Sequence, residues 1–135
     1  MPNWVTNELI VEGDKKDVKK FLKQMGDEID FEKIIPKPEN CFEGGLSLED
    51  RKICEEKGIP NWYDWCIDNW GTKWNACNQE KCEKHEGDTY ISLTYKFDTA
   101  WSYPEPIVEQ LRKEWDKLEF YGGWLEEGYQ SCGQM

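Results

Sequence analysis

The sequence predicts a single α+β domain in which an antiparallel sheet carries two helices on one face, in the split β-α-β arrangement. Three observations predict it. Residues 4–12 and 89–97 alternate apolar and polar side chains at the two-residue period of a half-buried strand. Residues 14–26 and 102–115 each place their apolar side chains on one helical stripe. Nothing in the composition of the 135 residues reads as a linker or an internal repeat, so one domain spans 1–135.

In the first strand Val5, Leu9 and Val11 point one way with Asn7 among them, while Trp4, Thr6, Glu8, Ile10 and Glu12 point the other. A core-facing amide must find hydrogen-bond partners, so Asn7 reads as structural. Asp14 is placed to cap a helix whose Val18, Phe21, Leu22 and Met25 fall at i, i+3, i+4 and i+7 and which Gly26 ends. Residues 31–38 read as a short extended piece, because each proline pushes its predecessor out of helical geometry, and a loop through Gly44 and Gly45 follows. Ser47 with Asp50 resembles a capping box for a second helix that Gly58 stops. Asn61, with Asp64 three positions on, caps a third helix over 62–70 that Gly71 stops, and Tyr63, Cys66, Ile67 and Trp70 share one of its faces. The loop and these two short helices form an insertion at about 36–71, between the first helix and the second strand.

Residues 72–77 and 89–97 both turn to β preference across the polar stretch 78–88, which reads as a hairpin. Ile91, Leu93, Tyr95 and Phe97 then face the core, leaving Tyr90, Ser92, Thr94 and Lys96 on a face that is either wet or covered by the inserted helices. Ser102 with Glu105 is placed to cap a helix carrying Ile107, Val108, Leu111 and Trp115 on one stripe, and 119–125 reads as the last strand.

Seventeen basic against twenty-eight acidic residues give a formal charge of −11. Such a field repels nucleic acid and anionic membrane and favours a basic protein surface, so neither direct nucleic-acid binding nor membrane binding is expected. A protein that occupies a nucleic-acid groove by mimicry would carry the same charge. There is no basic, apolar leader and no apolar run near the ~20 residues that span a bilayer, which predicts a cytoplasmic protein with its six cysteines as free thiols.

Little in the sequence points to a reaction. Cys77, Cys82 and His85 are the one metal-like cluster, but the gap between the cysteines is long for structural zinc and no fourth ligand is near, so no metal or cofactor is expected. A Cys77–Cys82 hairpin disulfide is the other reading of that pair. His85 lies among charged residues in a solvent-facing turn, a poor place for a catalytic base. Asp64, Asp68, Asp98, Glu126 and Glu127 could converge, yet twenty-eight acids in one domain will meet by chance. Phosphate loops, nucleophile elbows and zinc-protease helices are absent from the sequence, so no catalytic residue is assigned.

Four of the eight tryptophans fall within thirteen residues, at 62, 65, 70 and 74. Indoles bring large area and one N–H each, and lysine, amide and carboxylate beside them would fix a ligand's orientation. The candidate binding surface is therefore Trp70, Lys73, Trp74, Asn75, Asp98, Thr99 and Trp101. The competing structural reading is that these indoles glue the inserted helices to the sheet, with Asn75 and Asp98 satisfying nearby donors.

Five blocks carry a resemblance: Pro2-Asn3-Trp4-Val5-Thr6-Asn7, Phe31-Glu32-Lys33-Ile34-Ile35-Pro36, Asn61-Trp62-Tyr63-Asp64-Trp65, Asn69-Trp70-Gly71-Thr72-Lys73-Trp74-Asn75-Ala76 and Phe97-Asp98-Thr99-Ala100-Trp101-Ser102. In this order the chain resembles the YubB-like family of ferredoxin-like domains nearly end to end, departing in the cysteine-bearing hairpin and after Trp115. The resemblance implies a ferredoxin-like fold, a phage or plasmid source and no established activity; the fold name implies no iron–sulfur cluster. Charge and resemblance together lead to the expectation of a non-catalytic acidic accessory protein of a mobile element, acting by stoichiometric binding to a host or defence-system protein with a basic surface, by nucleic-acid mimicry where that partner binds nucleic acid. The alternative is a small-ligand-binding protein or enzyme that uses the tryptophan-rich surface.

Overall fold

The alternation of residues 4–12 becomes the central strand of the sheet, with Val5, Leu9, Val11 and the amide of Asn7 on its covered side. In the computed structural model, which describes residues 3–128 and 131–135, β1 (Trp4–Asp14) pairs antiparallel with β3 (Tyr90–Ala100) on one side and with β4 (Glu119–Glu126) on the other. β2 (Glu83–Glu86) is added outside β3 and β5 (Cys132–Gln134) outside β4, giving the order β2-β3-β1-β4-β5. Helices α1 (Lys15–Met25) and α4 (Glu105–Glu114) cover one face, and α2 (Leu48–Lys57) and α3 (Trp62–Trp70) belong to the insertion.

Val5, Asn7, Leu9 and Val11 are buried on that covered face, as are Ile91, Leu93, Tyr95 and Phe97 from β3. Against them pack Val18, Phe21 and Met25 of α1 and Ile107, Val108 and Leu111 of α4. Phe21 is the hub: its ring meets Tyr95, Phe120 and Trp115 edge-on at 6.2, 5.7 and 5.3 Å. Burial of one such ring contributes ~1.5–3 kcal/mol and each edge contact adds roughly 0.5–1.5.

The caps of the insertion form as their spacing predicts. Ser47 Oγ accepts from the Asp50 N–H at 3.1 Å, and Asn61 Oδ1 accepts from the Asp64 N–H at 2.9 Å. Gly58 and Gly71 close the two helices with φ of 65° and 75°. At Gly71 the absence of a side chain also matters for packing, since a Cβ there would lie 2.7 Å from Pro106 Cδ at the start of α4.

Several expectations change. Residues 72–77 are not the second strand; they cross the sheet end irregularly and touch it through one bridge, Cys77 with Asp98. Their side chains are engaged too, Thr72 Oγ1 donating to Ala100 O at the end of β3 at 2.6 Å and Asn75 holding residues 30 and 31. The strand is instead Glu83–Glu86, four exposed residues with no apolar alternation to announce them, set against β3 by the turn at Gly87. Phe31–Lys33 is a 3-10 turn rather than extended, capped by Asp30 Oδ1, which accepts from the Glu32 N–H at 3.0 Å. Asp14 ends β1 and makes no side-chain cap, and α4 starts at Glu105 because the Ser102 hydroxyl turns away to donate to Gly71 O. Of the predicted face of α3, Cys66 and Trp70 reach the core while Ile67 stays exposed and Tyr63 is half-buried; Trp65 packs against the core beside them. Of the inserted helices α3 joins the helical layer, where it packs against α4, and the opposite sheet face stays open. Among the described residues no helix is long and apolar enough to cross a membrane.

Candidate functional site

The seven residues proposed as a binding surface do not form one surface. Trp70 is 1% exposed; its indole N–H donates to Ile35 O at 2.8 Å and its ring meets Phe31 and Trp65 edge-on at 5.6 and 5.3 Å. It anchors the insertion to the core. Asn75 is equally committed, its Oδ1 accepting from the N–H groups of Phe31 and Ala76 at 2.9 and 2.8 Å and its Nδ2 donating to Asp30 Oδ1 at 2.9 Å. Asn75→Ala is expected to lower stability by roughly 1–3 kcal/mol, because it leaves a part-buried N–H without its acceptor; a urea titration showing no shift in midpoint would contradict that role.

Thr99 lies fully buried in a polar chain. Asn7 Nδ2 approaches Thr99 Oγ1 at 2.9 Å, Val5 O at 3.1 Å and Phe97 O at 3.3 Å, and Thr99 Oγ1 donates to Ser102 O at 2.7 Å. This chain holds the sharp turn after β3, where Trp101 adopts a φ of 72°. Asn7 Oδ1 has no protein partner among the described residues, an arrangement that costs about 1–3 kcal/mol.

Four of the seven remain near the surface, and Trp4, which the candidate set omitted, joins two of them. The Trp4 and Trp74 rings are 6.0 Å apart, and the Lys73 ammonium sits 5.0 Å from the Trp74 ring centre and 5.9 Å from that of Tyr63. Asp98, beside Thr6 across the β1–β3 ladder, accepts from Asn78 Nδ2 at 3.0 Å. Trp101, half exposed, donates its backbone N–H to Asn3 O at 2.9 Å.

From this end a trough runs along the open sheet face. Its first part, about 370 Å³, is lined by Trp4, Thr6, Asp98, Leu125, Glu126 and Glu127. Its second, about 470 Å³, shares Thr6 and Leu125 and continues past Glu8, Ile10, Tyr121 and Gly123. Every charged residue lining either part is a carboxylate. Thr6, Glu8, Ile10, Tyr121 and Leu125 were missed as site residues. For Thr6, Glu8 and Ile10 the signal was present in the outward half of the β1 alternation, where Ile10 is an apolar residue in a polar row; Tyr121 and Leu125 join them only through the β1–β4 pairing.

A larger hollow of about 680 Å³ opens between the end of α1 and residues 75–81. Its amides serve the fold. Gln79 accepts from the Ile29 N–H at 2.7 Å and donates to Ile29 O at 2.8 Å, and Lys33 Nζ donates to Met25 O at 3.1 Å. Cys77 and Cys82 are half-buried and His85 is exposed on β2, and no group of three or more metal-binding side chains gathers among the described residues.

All six cysteines are unpaired. Burial pushes the Cys66 thiol up to about 11 from its ordinary 9.0, and burial likewise raises Cys41, Cys77, Cys82 and the Tyr95 phenol. Above pH 9 the unfolded chain releases the Cys66 proton while the folded chain keeps it until about pH 11. Stability from this group is therefore complete below pH 9 and falls as pH rises toward 11. Urea midpoints measured across that window are expected to decline, and thiol labelling in native buffer to take exposed Cys132 well before buried Cys54 and Cys66.

No curated protein and no solved structure matches the chain. Residues 69–135 match the family model of the ferredoxin-like domain in Api92-like protein. The matched half holds β2 to β5, α4 and the Lys73, Trp74, Asp98 and Trp101 end of the trough, while β1 comes from the other half. With β1 in place, the strands of the β-α-β-β-α-β unit lie in the order β2-β3-β1-β4 with β5 added at the edge, and the chain carries a ferredoxin-like domain.

Proposed function

We propose that this chain is a non-catalytic acidic accessory protein that acts by stoichiometric binding to a basic surface of another protein. The observation that supports this reading is the uncovered sheet face, whose trough offers apolar contacts from Trp4, Ile10, Tyr121 and Leu125 and, as charge, carboxylates alone. A formal charge of −11 extends the same sign over the molecule and speeds encounter with a cationic partner. The YubB-like resemblance adds a phage or plasmid source and, together with the charge, a host or defence-system protein as target. Where that target normally binds nucleic acid, the acidic face would compete for its groove by mimicry.

The alternative, a small-ligand protein or enzyme using the tryptophan-rich surface, has less support. Trp70, Asn75 and Thr99 are taken up by the fold, and what is left around Lys73 and Trp74 is one ammonium over aromatic rings. A pull-down from reducing host lysate at low and high salt, with native mass of the input, tests the choice. The binding reading expects a stoichiometric basic protein that salt releases. A small molecule carried by the purified chain, with no protein retained, would move the assignment to the alternative.

A further inference from the structure

We infer that the trough docks an arginine side chain from an extended basic segment of the partner, seated in the notch that Gly123 leaves between Tyr121 and Leu125. The inference deepens the proposed binding function and rests on it. The notch follows from strand periodicity. On β4 the outward positions are Glu119, Tyr121, Gly123 and Leu125, standing opposite Glu12, Ile10, Glu8 and Thr6 of β1. Tyr121 and Leu125 are 41% and 39% exposed, large side chains for an open face, and between them one position has no side chain. The gap is one residue wide and is bordered on the β5 side by the Gly133 carbonyl oxygen, which would lie 3.2 Å from a Cβ built on Gly123 and offers a guanidinium an acceptor.

Its sides select the occupant. Glu8 lies directly across on β1, and exposed Gln134 directly across on β5, so a carboxylate and an amide flank the gap. The Tyr121 ring walls one side of the gap, and its phenol, whose pKa Glu12 pushes up to about 12, is neutral. A planar guanidinium can stack on such a ring while pairing with a carboxylate, a combination that a lysine ammonium matches less well. Asp98, Glu126 and Glu127 continue the negative lining toward Trp4, so a segment with further basic residues would follow the trough. Lys96 on β3, directly opposite Glu8, brings an opposing charge near the notch. The ion pairs among the described residues, Lys15–Glu86, Lys84–Glu86, Lys37–Glu43 and Arg51–Asp64, leave both Glu8 and Lys96 out, so Glu8 is available to a partner.

The edges offer no competing mode. β2 is four charged or polar exposed residues and β5 only three residues long, both poor templates for adding a strand.

The test is titration of the whole chain with a synthetic dodecapeptide alternating arginine and threonine, beside its lysine counterpart. Saturable one-to-one binding of the arginine peptide is expected, with weaker binding of the lysine peptide. Glu8→Gln and Tyr121→Ala should each weaken it about tenfold. Lys96→Gln should tighten it, and Glu55→Gln, which makes the same charge change as Glu8→Gln on exposed α2, should leave it unchanged. Unaltered melting temperatures would show that these variants are folded. Absence of binding, or equal weakening by Glu8→Gln and Glu55→Gln, overturns the notch. Repeating the lysate pull-down with Glu8→Gln separates the two claims: a basic partner held equally by both proteins sinks the notch and keeps the binding function. Peptide binding with an empty pull-down does the reverse.

Discussion

Gly122→Ala is expected to destabilise the protein by roughly 2–6 kcal/mol, combining backbone strain with overpacking. Gly122 sits in β4 opposite Leu9 with φ at 148°, and a Cβ built there would lie 1.9 Å from Glu8 O, 3.0 Å from Glu8 C and 3.4 Å from Leu9 Cα. These are backbone atoms of the central strand. β1 is held by β3 on its far side along its whole length, so it cannot retreat without breaking a second ladder. Against a typical domain stability of about 5–15 kcal/mol, such a loss removes much of the folded population. Gly45→Ala is the control, with normal φ and nothing within 4 Å of its added carbon, and should shift stability by less than about 0.5 kcal/mol. Chemical denaturation of the pair reads the contrast, and a Gly122→Ala protein as stable as Gly45→Ala would show that β4 does not approach β1 so closely.

Trp70→Ala should lose about 3–5 kcal/mol, the usual range for removing a large aromatic from a packed interior. The indole is 1% exposed, bonds Ile35 O at 2.8 Å, and separates Phe31 from Trp65. Its removal would leave a cavity at the junction between the insertion and the core and strip Ile35 O of its donor. Trp70→Phe keeps most of the area but not the N–H, and should fall between the two. Trp101→Ala, at a ring 52% exposed, should stay near the wild-type midpoint. This series also separates the two readings of the tryptophans, because a ligand-gripping Trp70 would lose binding while the melting temperature held. Lost stability with the Trp101 variant unaffected assigns Trp70 to the fold.

The helices and the two long strands were legible because their determinants are local. Val5, Leu9 and Val11 can share a face only in a strand, and Ser47, Asn61, Gly58 and Gly71 cap or stop helices through groups at most five residues away. The candidate site was half legible. Composition pointed to Lys73, Trp74, Asp98 and Trp101, which stay near the surface at the end of the sheet where the trough starts, but it could not tell an exposed indole from a buried one, since Trp70 and Trp101 differ in exposure and not in chemistry.

What only the tertiary structure decided depends on distant partners. Glu83–Glu86 is a strand because β3 lies beside it, and Cys132–Gln134 because β4 does. Asn75 is structural because Phe31, forty-four positions earlier, brings its N–H within 2.9 Å. The trough exists because the insertion packs on α4 and leaves the other face bare, while the β1–β4 pairing sets Glu8, Gly123 and Tyr121 side by side from two strands far apart in sequence. A periodicity names which side chains share a face of one element, and the backbone geometry of a single residue follows from its neighbours. Which faces find cover, and which polar groups find partners, is settled only when segments far apart in the chain compete for the same neighbours.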